Sequence, residues 1–448
     1  MQYNLSKKLK LNAVQILALG FAAVILTGAI LLTLPIASKS GQRTGFIDAL
    51  FTSTSATCVT GLITLDTGTY WTYFGKTVII SLIQIGGLGF MSFATLFALL
   101  LGKKITLKER LILQEALNTF NIQGLVRLMK YILGFTFSVE FLGAVLLSTQ
   151  FIPEFGVMKG IYYSLFHSIS AFCNAGFDLI GNFSSLTSYA DNSVIILTIG
   201  SLIIIGGMGF SVWSEIYHCK SIKRLSLHSK IVISMTLGLV VGGAILMFLF
   251  EHSNAATIKD MSMKGQALSS YFASVSPRTA GFNSISTSDM TMAGRFLTII
   301  LMFIGGSPGS TAGGIKTTTA GILIMTVVSV IKGKEDTELF KKRINKDIIY
   351  RAFTVVTLGG LIVVVMTMLL SITEVGMKFE ELVYEVTSAF ATVGLTLGIT
   401  TKLSAIGKVL VAFTMYLGRV GPLTVVLALT TRKKNKSIRY PEGKILVG

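Results

Sequence analysis

The chain has 448 residues, of which 52% are hydrophobic and 13% charged, and its mean hydropathy is +0.72. This composition excludes an ordinary soluble multidomain protein and is typical of a chain that crosses the membrane many times. The net charge of +18 suits membrane topology and anionic lipid headgroups, so it is no argument for nucleic-acid binding. The cysteines Cys58, Cys173 and Cys219 have no paired spacing, so they predict neither a disulfide nor a metal site.

Long apolar runs predict the membrane-spanning helices. The first follows the basic residues Lys7, Lys8 and Lys10 and is too long for the core of a signal peptide, so we predict a membrane helix there. Runs of about 20 residues or more, enough to span a bilayer, lie near 13–34, 76–101, 128–150, 193–217, 230–250, 296–330, 350–371 and 405–430. They predict eight spanning helices, the sixth of which is interrupted.

Four shorter semi-apolar segments lie between the members of each pair of spans, near 45–56, 160–172, 265–275 and 379–391. They are too short to cross about 30 Å of hydrocarbon as helices, so we expect them to be re-entrant. The sequence therefore predicts an all-α membrane protein with four helix–pore-helix–helix repeats around a pseudo-fourfold pore. We call the repeats units one to four, and they occupy residues 1–102, 103–219, 220–331 and 332–431, followed by a basic tail at 432–448.

Basic residues concentrate on one side of this topology. Two thirds of the 39 Lys and Arg residues lie at the N-terminus, in the loops that join the units, and in the tail. The positive-inside rule then places both termini in the cytoplasm and the four short segments at the outer face. The amphipathic stretch TLKERLILQEAL, in the loop after unit one, is either an interfacial helix or a docking surface for a cytosolic partner. The basic segments 332–346 and 432–436 could dock a partner in the same way.

Each short segment ends in a turn built on glycine. The turns read SATCVTGL, AFCNAGFD, VSPRTAGFN and AFATVGLT, and their glycines are separated by 115, 105 and 113 residues. A dehydrated cation needs oxygen ligands, which backbone carbonyls supply where glycine permits a positive φ. A helix that ends just before the turn also directs its partially negative C-terminus at the ion.

These turns predict a K+-selective filter on the pore axis. A single glycine of this kind is common in membrane helices, but four in matching context favour one pore folded from one chain. The predicted filter residues are Thr57, Cys58, Val59, Thr60, Gly61, Cys173, Asn174, Ala175, Gly176, Arg278, Thr279, Ala280, Gly281, Ala391, Thr392, Val393 and Gly394.

A second glycine cluster follows in the second helix of each unit. IGGLGF (85–90) and IGGMGF (205–210) are best explained by close helix packing. The third cluster, IGGSPGSTAGGIKTTT, cannot remain a regular helix through the membrane. It predicts a gate below the filter, and the alternative is a kinked but packed helix. The gate residues would be Gly305, Gly306, Ser307, Pro308, Gly309, Ser310, Thr311, Ala312, Gly313, Gly314, Lys316 and Arg419.

Few ionisable residues lie within the predicted spans. Arg419 in the last span would be a barrier to cations and a donor to carbonyls of the broken loop, or else a buried structural arginine. Lys316 belongs to the loop or reaches toward the cytosol. Glu140 should form a buried contact, and His167 should cap or pack rather than bind a metal. No catalytic or nucleotide-binding motif is present, so we do not expect an enzyme.

The four turns and the Gly-Ser-Thr break resemble those of the Trk/Ktr/HKT cation transporter superfamily over about residues 10–440. The short N-terminus and the basic C-terminus are most similar to the Ktr-type membrane subunits of bacteria. The resemblance implies K+ uptake through a filter at Gly61, Gly176, Gly281 and Gly394, with a gating loop at 305–316 and a pore arginine at Arg419. Glycine at 61 favours K+, since some Na+-preferring plant relatives carry serine there.

The same resemblance implies partners and a location. Members of the superfamily form homodimers, each protomer having its own pore, on a cytosolic ring of RCK-type nucleotide-binding subunits that respond to ATP or ADP. Ktr systems are typically activated by Na+, and they lie in the bacterial plasma membrane. No covalently bound cofactor is implied.

Two other functions fit the sequence less well. A proton- or Na+-coupled symporter that works by alternating access would show inverted repeats, whereas all four units here have the same charge polarity. A polytopic membrane enzyme or scaffold would need pairs of intramembrane His, Asp or Glu residues, which the spans almost lack.

Overall fold

A computed structural model describes residues 13–89, 125–219 and 221–421, in which the regular secondary structure is helical apart from one two-stranded hairpin. The helices are α1 (Ala13–Thr33), α2 (Phe46–Cys58), α3 (Tyr73–Leu88), α4 (Leu125–Phe155), α5 (Val157–Phe172), α6 (Ser193–Gly207), α7 (Phe210–His218), α8 (Leu227–Glu251), α9 (Met263–Val275), α10 (Met292–Phe303), α11 (Thr317–Ile331), α12 (Lys346–Thr373), α13 (Phe379–Ala391) and α14 (Ala405–Val420). Short 3-10 turns lie at Pro35–Ala37, Thr187–Tyr189, Ile222–Arg224, Thr287–Asp289 and Thr400–Lys402. An antiparallel hairpin of β1 (Glu338–Leu339) and β2 (Lys342–Arg343) joins α11 to α12.

Several of these helices can cross a membrane. Among the described residues, four are long and apolar enough, namely α1, α4, α8 and α12, and each of them opens one predicted unit. A fifth span is possible if α6 and α7, which are bent by 93° relative to each other, are one broken span. The helices α3, α10 and α11 are shorter and apolar. The chain is therefore a multi-pass helical membrane protein, as predicted, whereas the count of eight spans stays a prediction.

Some predicted features lie outside the described residues. These are the amphipathic stretch between units one and two, the basic tail, and the C-terminal parts of the spans predicted at 76–101 and 405–430. The hairpin region that follows α11 is described. Two ion pairs hold it, Lys334 with Glu338 at 2.8 Å and Arg343 with Asp336 at 3.2 Å.

The four short helices lie where the sequence predicts them. Helices α2, α9 and α13 have 13 residues each and α5 has 16, and each packs against the long helix that precedes it. Three of them are fixed there by a serine hydroxyl that donates to a carbonyl of the long helix at 2.6–2.8 Å. These pairs are Ser53 with Ile25, Ser168 with Glu140, and Ser274 with Val240. A hydrogen bond from a small side chain on one helix to a backbone carbonyl of the other lets the two helices approach closely in apolar surroundings.

Glycine permits that approach. A Cβ on Gly28, Gly143 or Gly243 would collide with the hydroxyl of the facing serine. Unit four is different, because Gly359 on α12 faces the ring of Phe390 instead. The glycine of the long helix thus contacts a serine of the short helix in three units and an aromatic ring in the fourth.

Buried carboxylates fix the start of the second helix in units three and four. Glu251, the last residue of α8, accepts hydrogen bonds from the backbone N–H of Thr291 (2.9 Å) and from its hydroxyl (2.7 Å). Glu374 accepts the same two bonds from Ser404 at 3.1 and 2.6 Å. Thr291 and Ser404 are N-caps of α10 and α14, so a negative charge lies at each helix N-terminus, where the helix dipole favours it.

Candidate functional site

The four glycines of the predicted filter form a closed ring. Each glycine faces the carbonyl group that precedes the glycine of the next unit. The facing pairs, in order, are Gly61 with Ala175, Gly176 with Ala280, Gly281 with Val393, and Gly394 with Thr60. A Cβ on Gly61 or Gly176 would lie 2.5 Å from the facing oxygen, and the other two sites are tighter. The ring therefore requires glycine at all four positions.

The backbone repeats the same conformation in each turn. The four glycines have φ between +70° and +94°, in the region that favours glycine. The residue two positions earlier is also left-handed, with φ of 59° at Val59, 60° at Asn174, 77° at Thr279 and 52° at Thr392. A β-branched residue rarely adopts this conformation. The β-branched residues at this position in units one, three and four gave no signal for it, and only Asn174 is of a type that adopts it readily.

A buried serine braces each turn. The N–H of Gly61 donates to Ser55 Oγ at 3.0 Å, and the N–H of Gly394 donates to Ser388 Oγ at the same distance. In unit two, Ser170 donates to the carbonyl of Phe177 at 2.7 Å. In unit three, Ser276 donates to the carbonyl of Phe282.

Sequence reasoning missed these serines. The available signal was their register, since a serine precedes the glycine by six residues in units one, two and four and by five in unit three.

Two predicted filter residues direct their side chains away from the ring. The buried Arg278 lies 3.4 Å from the hydroxyl of Thr236 on α8. The thiol of Cys173 is 3.9 Å from a carboxyl oxygen of Glu140 and 3.8 Å from the amide oxygen of Gln84. These two residues can contribute backbone atoms to an ion site, but their side chains belong to the surrounding scaffold. Apart from Gly281, which is partly exposed, the predicted filter residues are all buried.

The contacts of Glu140 and His167 agree with the sequence analysis. Glu140 is buried and accepts a hydrogen bond from Gln84 Nε2 at 3.1 Å. The Nδ1 atom of His167 lies 2.7 Å from the carbonyl of Tyr163, and its Nε2 accepts from the N–H of Leu179 at 3.3 Å. The histidine thus ties α5 to the segment that follows the glycine turn.

The predicted break in unit three is a complete loop. Helix α10 ends at Phe303, α11 begins at Thr317, and the two ends of the loop are joined by a parallel bridge between Ile304 and Ile315. Gly309 and Gly314 have φ of 66° and 65°. This geometry rules out the alternative of a kinked, continuous helix. We call residues 304–316 the intramembrane loop.

The intramembrane loop is fastened to unit two. The N–H of Ser307 donates to the carbonyl of Gly207 at 2.9 Å, and the N–H of Thr311 donates to that of Gly206 at 3.3 Å. In return, the N–H of Phe210 donates to the carbonyl of Gly309 at 2.9 Å.

These bonds explain a difference from the predicted span at 193–217. That segment is bent by 93° between α6 and α7, because the carbonyls of Gly206 and Gly207 bond the loop and Gly209 takes a φ of +93°.

Arg419 joins the intramembrane loop to unit one. From α14 its guanidinium donates to the carbonyl of Thr311 in the loop, and to those of Gly86 and, at 3.2 Å, Gly87 at the end of α3. Lys316 donates to the carbonyl of Ala312 at 2.7 Å, within the loop itself. In the parts of the chain that the structure describes, neither cation forms an ion pair with a carboxylate. Both basic side chains at the loop are therefore held by carbonyl oxygens.

Comparisons with known proteins place these features in context. A family model described as "TrkH: Cation transport protein" matches residues 11–440. The chain is 46% identical over 444 residues to the potassium/sodium uptake protein NtpJ of Enterococcus hirae, covering 98% of each chain. It is 43% identical over 434 residues to the Ktr system potassium uptake protein B of Bacillus subtilis, covering 97% of this chain and 96% of the relative.

A solved structure has the same fold. The crystal structure of the potassium transporter TrkH from Vibrio parahaemolyticus matches with a TM-score of 0.72 and 18% identity, over 96% of this chain and 86% of that one. The likeness extends over nearly the whole chain, and at 18% identity it concerns the fold.

Proposed function

Because the chain belongs to the TrkH family of cation transport proteins, we propose that it takes up K+ across the bacterial cell membrane through a channel-like pore. The ring of Gly61, Gly176, Gly281 and Gly394 is its selectivity filter. The observation that carries this proposal is the closed contact in which each glycine faces the carbonyl that precedes the next. Membership of this family makes the chain a transport protein rather than an enzyme, in agreement with the sequence analysis.

The ring is suited to a dehydrated cation for physical reasons. Carbonyl oxygens replace the hydration shell of the ion without fixing it by a full negative charge. The four glycines leave no side chain between the units, so backbone atoms can line the passage. The names of two relatives, a potassium/sodium uptake protein and a potassium uptake protein, support K+ as the substrate and uptake as the direction. K+ would bind at the filter, and no covalent cofactor is needed.

The architecture that fits this function has eight spans and four re-entrant pore helices. In it α2, α5, α9 and α13 are the pore helices, and the four units are those given by the sequence. The excess of basic residues in the joining loops supports cytoplasmic termini. The same orientation in all four units argues against the alternative of a coupled symporter, whose repeats would be inverted.

The intramembrane loop and Arg419 form the gate in this proposal. The loop is bonded to α6 of unit two and to Arg419 of unit four, and Arg419 is bonded to α3 of unit one. Hydrogen bonds to three units would therefore stabilise the closed position of the loop. The positive charge of Arg419 would also raise the energy of a cation that passes beside it. Opening would require these carbonyl bonds to break together.

Regulation and assembly follow from the likeness to a Ktr system protein. The name of the Bacillus subtilis relative, a Ktr system protein, supports a transport system with a further protein component. We propose that this component is a cytosolic ring of RCK-type nucleotide-binding subunits acting on a homodimer. The hairpin after α11 presents an exposed Phe340 beside Lys341, Lys342 and Arg343, and this surface is a candidate for docking. Na+ would act as an activator, as the resemblance to Ktr systems implies.

The proposal is tested by reconstituting the purified protein in liposomes. A K+ gradient across the liposome membrane should drive a K+ flux that persists when the proton and Na+ gradients are dissipated. An equal Na+ gradient should drive a smaller Na+ flux. Empty liposomes provide the background. A flux that depends strictly on a proton or Na+ gradient would favour the symporter, and equal K+ and Na+ fluxes would contradict a K+-selective filter.

A further inference from the structure

The intramembrane loop touches the filter as well as the helices around it. The hydroxyl of Thr311 donates to the carbonyl of Phe172 at 3.1 Å. Phe172 is the last residue of α5 and directly precedes the filter segment of unit two. The loop therefore bonds the C-terminal end of one pore helix, where the helix points its carbonyls toward the ring.

The loop also packs under the filter segments of units three and four. A Cβ on Gly305 would lie 3.1 Å from the Cγ2 atom of Thr279, and a Cβ on Gly314 would lie 3.4 Å from Ala391. A Cβ on Gly313 would collide with the hydroxyl of Thr392. Glycines in the loop thus leave room for the side chains of filter residues.

Two of these filter residues have a conformation that needs support. Thr279 and Thr392 are left-handed, with φ of 77° and 52°. A non-glycine backbone in this region is strained and persists only when its surroundings hold it. The surroundings of Thr279 and Thr392 include the loop, so the loop helps to hold the backbone that carries the filter carbonyls.

We infer that the intramembrane loop is a determinant of ion selectivity as well as of flux. It acts through Thr311 on unit two, through Gly305 on unit three and through Gly313 on unit four. Thr311 and Gly313 are positioning residues, since neither reaches the glycine ring itself. This inference rests on the proposed function, in which the glycine ring is the filter.

Thr311→Val tests the contact with unit two. The exchange keeps the shape of the side chain and the two backbone bonds of Thr311, and removes only the hydroxyl that holds Phe172. We expect the ratio of K+ to Na+ uptake in liposomes to fall at least about fivefold, as for residues coupled by direct contact. Thr311→Ser should keep the wild-type ratio, because it keeps the hydroxyl.

Ser310→Ala is the matched control for that variant. Ser310 donates to the carbonyl of Ser307 at 2.6 Å and accepts from the N–H of Ala312, so it serves the loop internally. Its loss should alter the total flux without altering the K+ to Na+ ratio. The comparison separates damage to the loop from damage to the filter.

Gly313→Ala and Gly306→Ala form a second pair in case Thr311→Val does not fold. Alanine at 313 meets Thr392, whereas alanine at 306 meets Ala312 in the loop itself. Only Gly313→Ala should lower the ratio. If the Thr311→Val and Gly313→Ala proteins elute as folded protein, change the flux and keep the wild-type ratio, the inference is overturned while the gate remains. If the wild-type protein shows no preference for K+, the proposed filter itself has failed.

Discussion

Gly61 lies so close to the carbonyl oxygen of Ala175 that a Cβ on the glycine would come within 2.5 Å of it. The two residues belong to different units, and the same relationship repeats around the ring. A side chain on one glycine must therefore push away a carbonyl of the next unit. A substitution therefore displaces a carbonyl in the neighbouring turn, and the ion would lose that carbonyl oxygen as a ligand.

Serine at Gly61 or Gly281 should weaken the preference for K+. We expect the ratio of K+ to Na+ uptake to fall about tenfold, which corresponds to about 1.4 kcal/mol, while the protein still elutes as a folded species. Ion competition in a K+-transport-deficient cell measures the ratio. Gly398→Ser is the matched control, since Gly398 has a φ of +96° but nothing within 4 Å of its added Cβ. Unchanged selectivity in both filter variants would refute the filter assignment.

Alanine at Arg419 should raise the basal K+ flux. The substitution removes a charge and the bonds from α14 to the loop and to α3, so the closed position loses its attachments to units four and one and keeps only those to unit two. We expect an increase of about fivefold or more, as for a loss of about 1 kcal/mol, measured in liposomes without any partner. Deletion of loop residues within 307–314 should act in the same direction. Lys402→Ala, which removes an exposed cation far along the sequence from the loop, should leave the flux as it is, and lost flux in a folded Arg419→Ala protein would count against the gate.

Alanine at Ser388 should lower the apparent affinity for K+. The N–H of Gly394 would lose its hydrogen-bond acceptor, and a buried donor without a partner costs about 1–3 kcal/mol. The turn of unit four would then be less well held. The concentration dependence of K+ uptake shows the change. Ser371→Ala is a suitable control, because that exposed hydroxyl bonds only a carbonyl of its own helix; equal affinity in the two variants would argue against the serine brace.

Alanine at Glu251 should destabilise the protein without changing its selectivity. The carboxylate accepts from the N–H and the hydroxyl of Thr291 and also from Asn254 at 2.8 Å. Its removal takes the acceptor from the half-buried N–H and hydroxyl of Thr291, and a donor left unpaired costs about 1–3 kcal/mol when it is buried. The midpoint of thermal unfolding in detergent should fall for Glu251→Ala and by less for Glu251→Gln, which keeps one acceptor oxygen. An unchanged midpoint would mean that water replaces the carboxylate at no cost.

The sequence was sufficient to predict the features that depend on glycine and on apolar length. The four short helices, the four turns and the break in unit three are all marked by residues that a regular helix disfavours. Arg419 stood out because a charge within an apolar run needs partners, and the structure places carbonyl partners around it.

Other features depend on contacts between distant parts of the chain. The left-handed backbone of Val59 and Thr392 contradicts the preference of β-branched residues, so tertiary packing decides it. The bend after Gly207 arises because the loop of another unit accepts and donates bonds there. Glu251 is a plain helix end in the sequence, and its role depends on Thr291, 40 residues later. Such long-range bonds leave no local pattern.

The ring of four glycines is built from four different sequences on a single chain. In a homotetramer, one substitution would alter every quarter of the ring at once. Here one substitution alters one quarter, and variants with one to four altered quarters form a graded series. The permeation path can therefore be tuned in small steps, and its response to each step reveals how many intact quarters an ion requires.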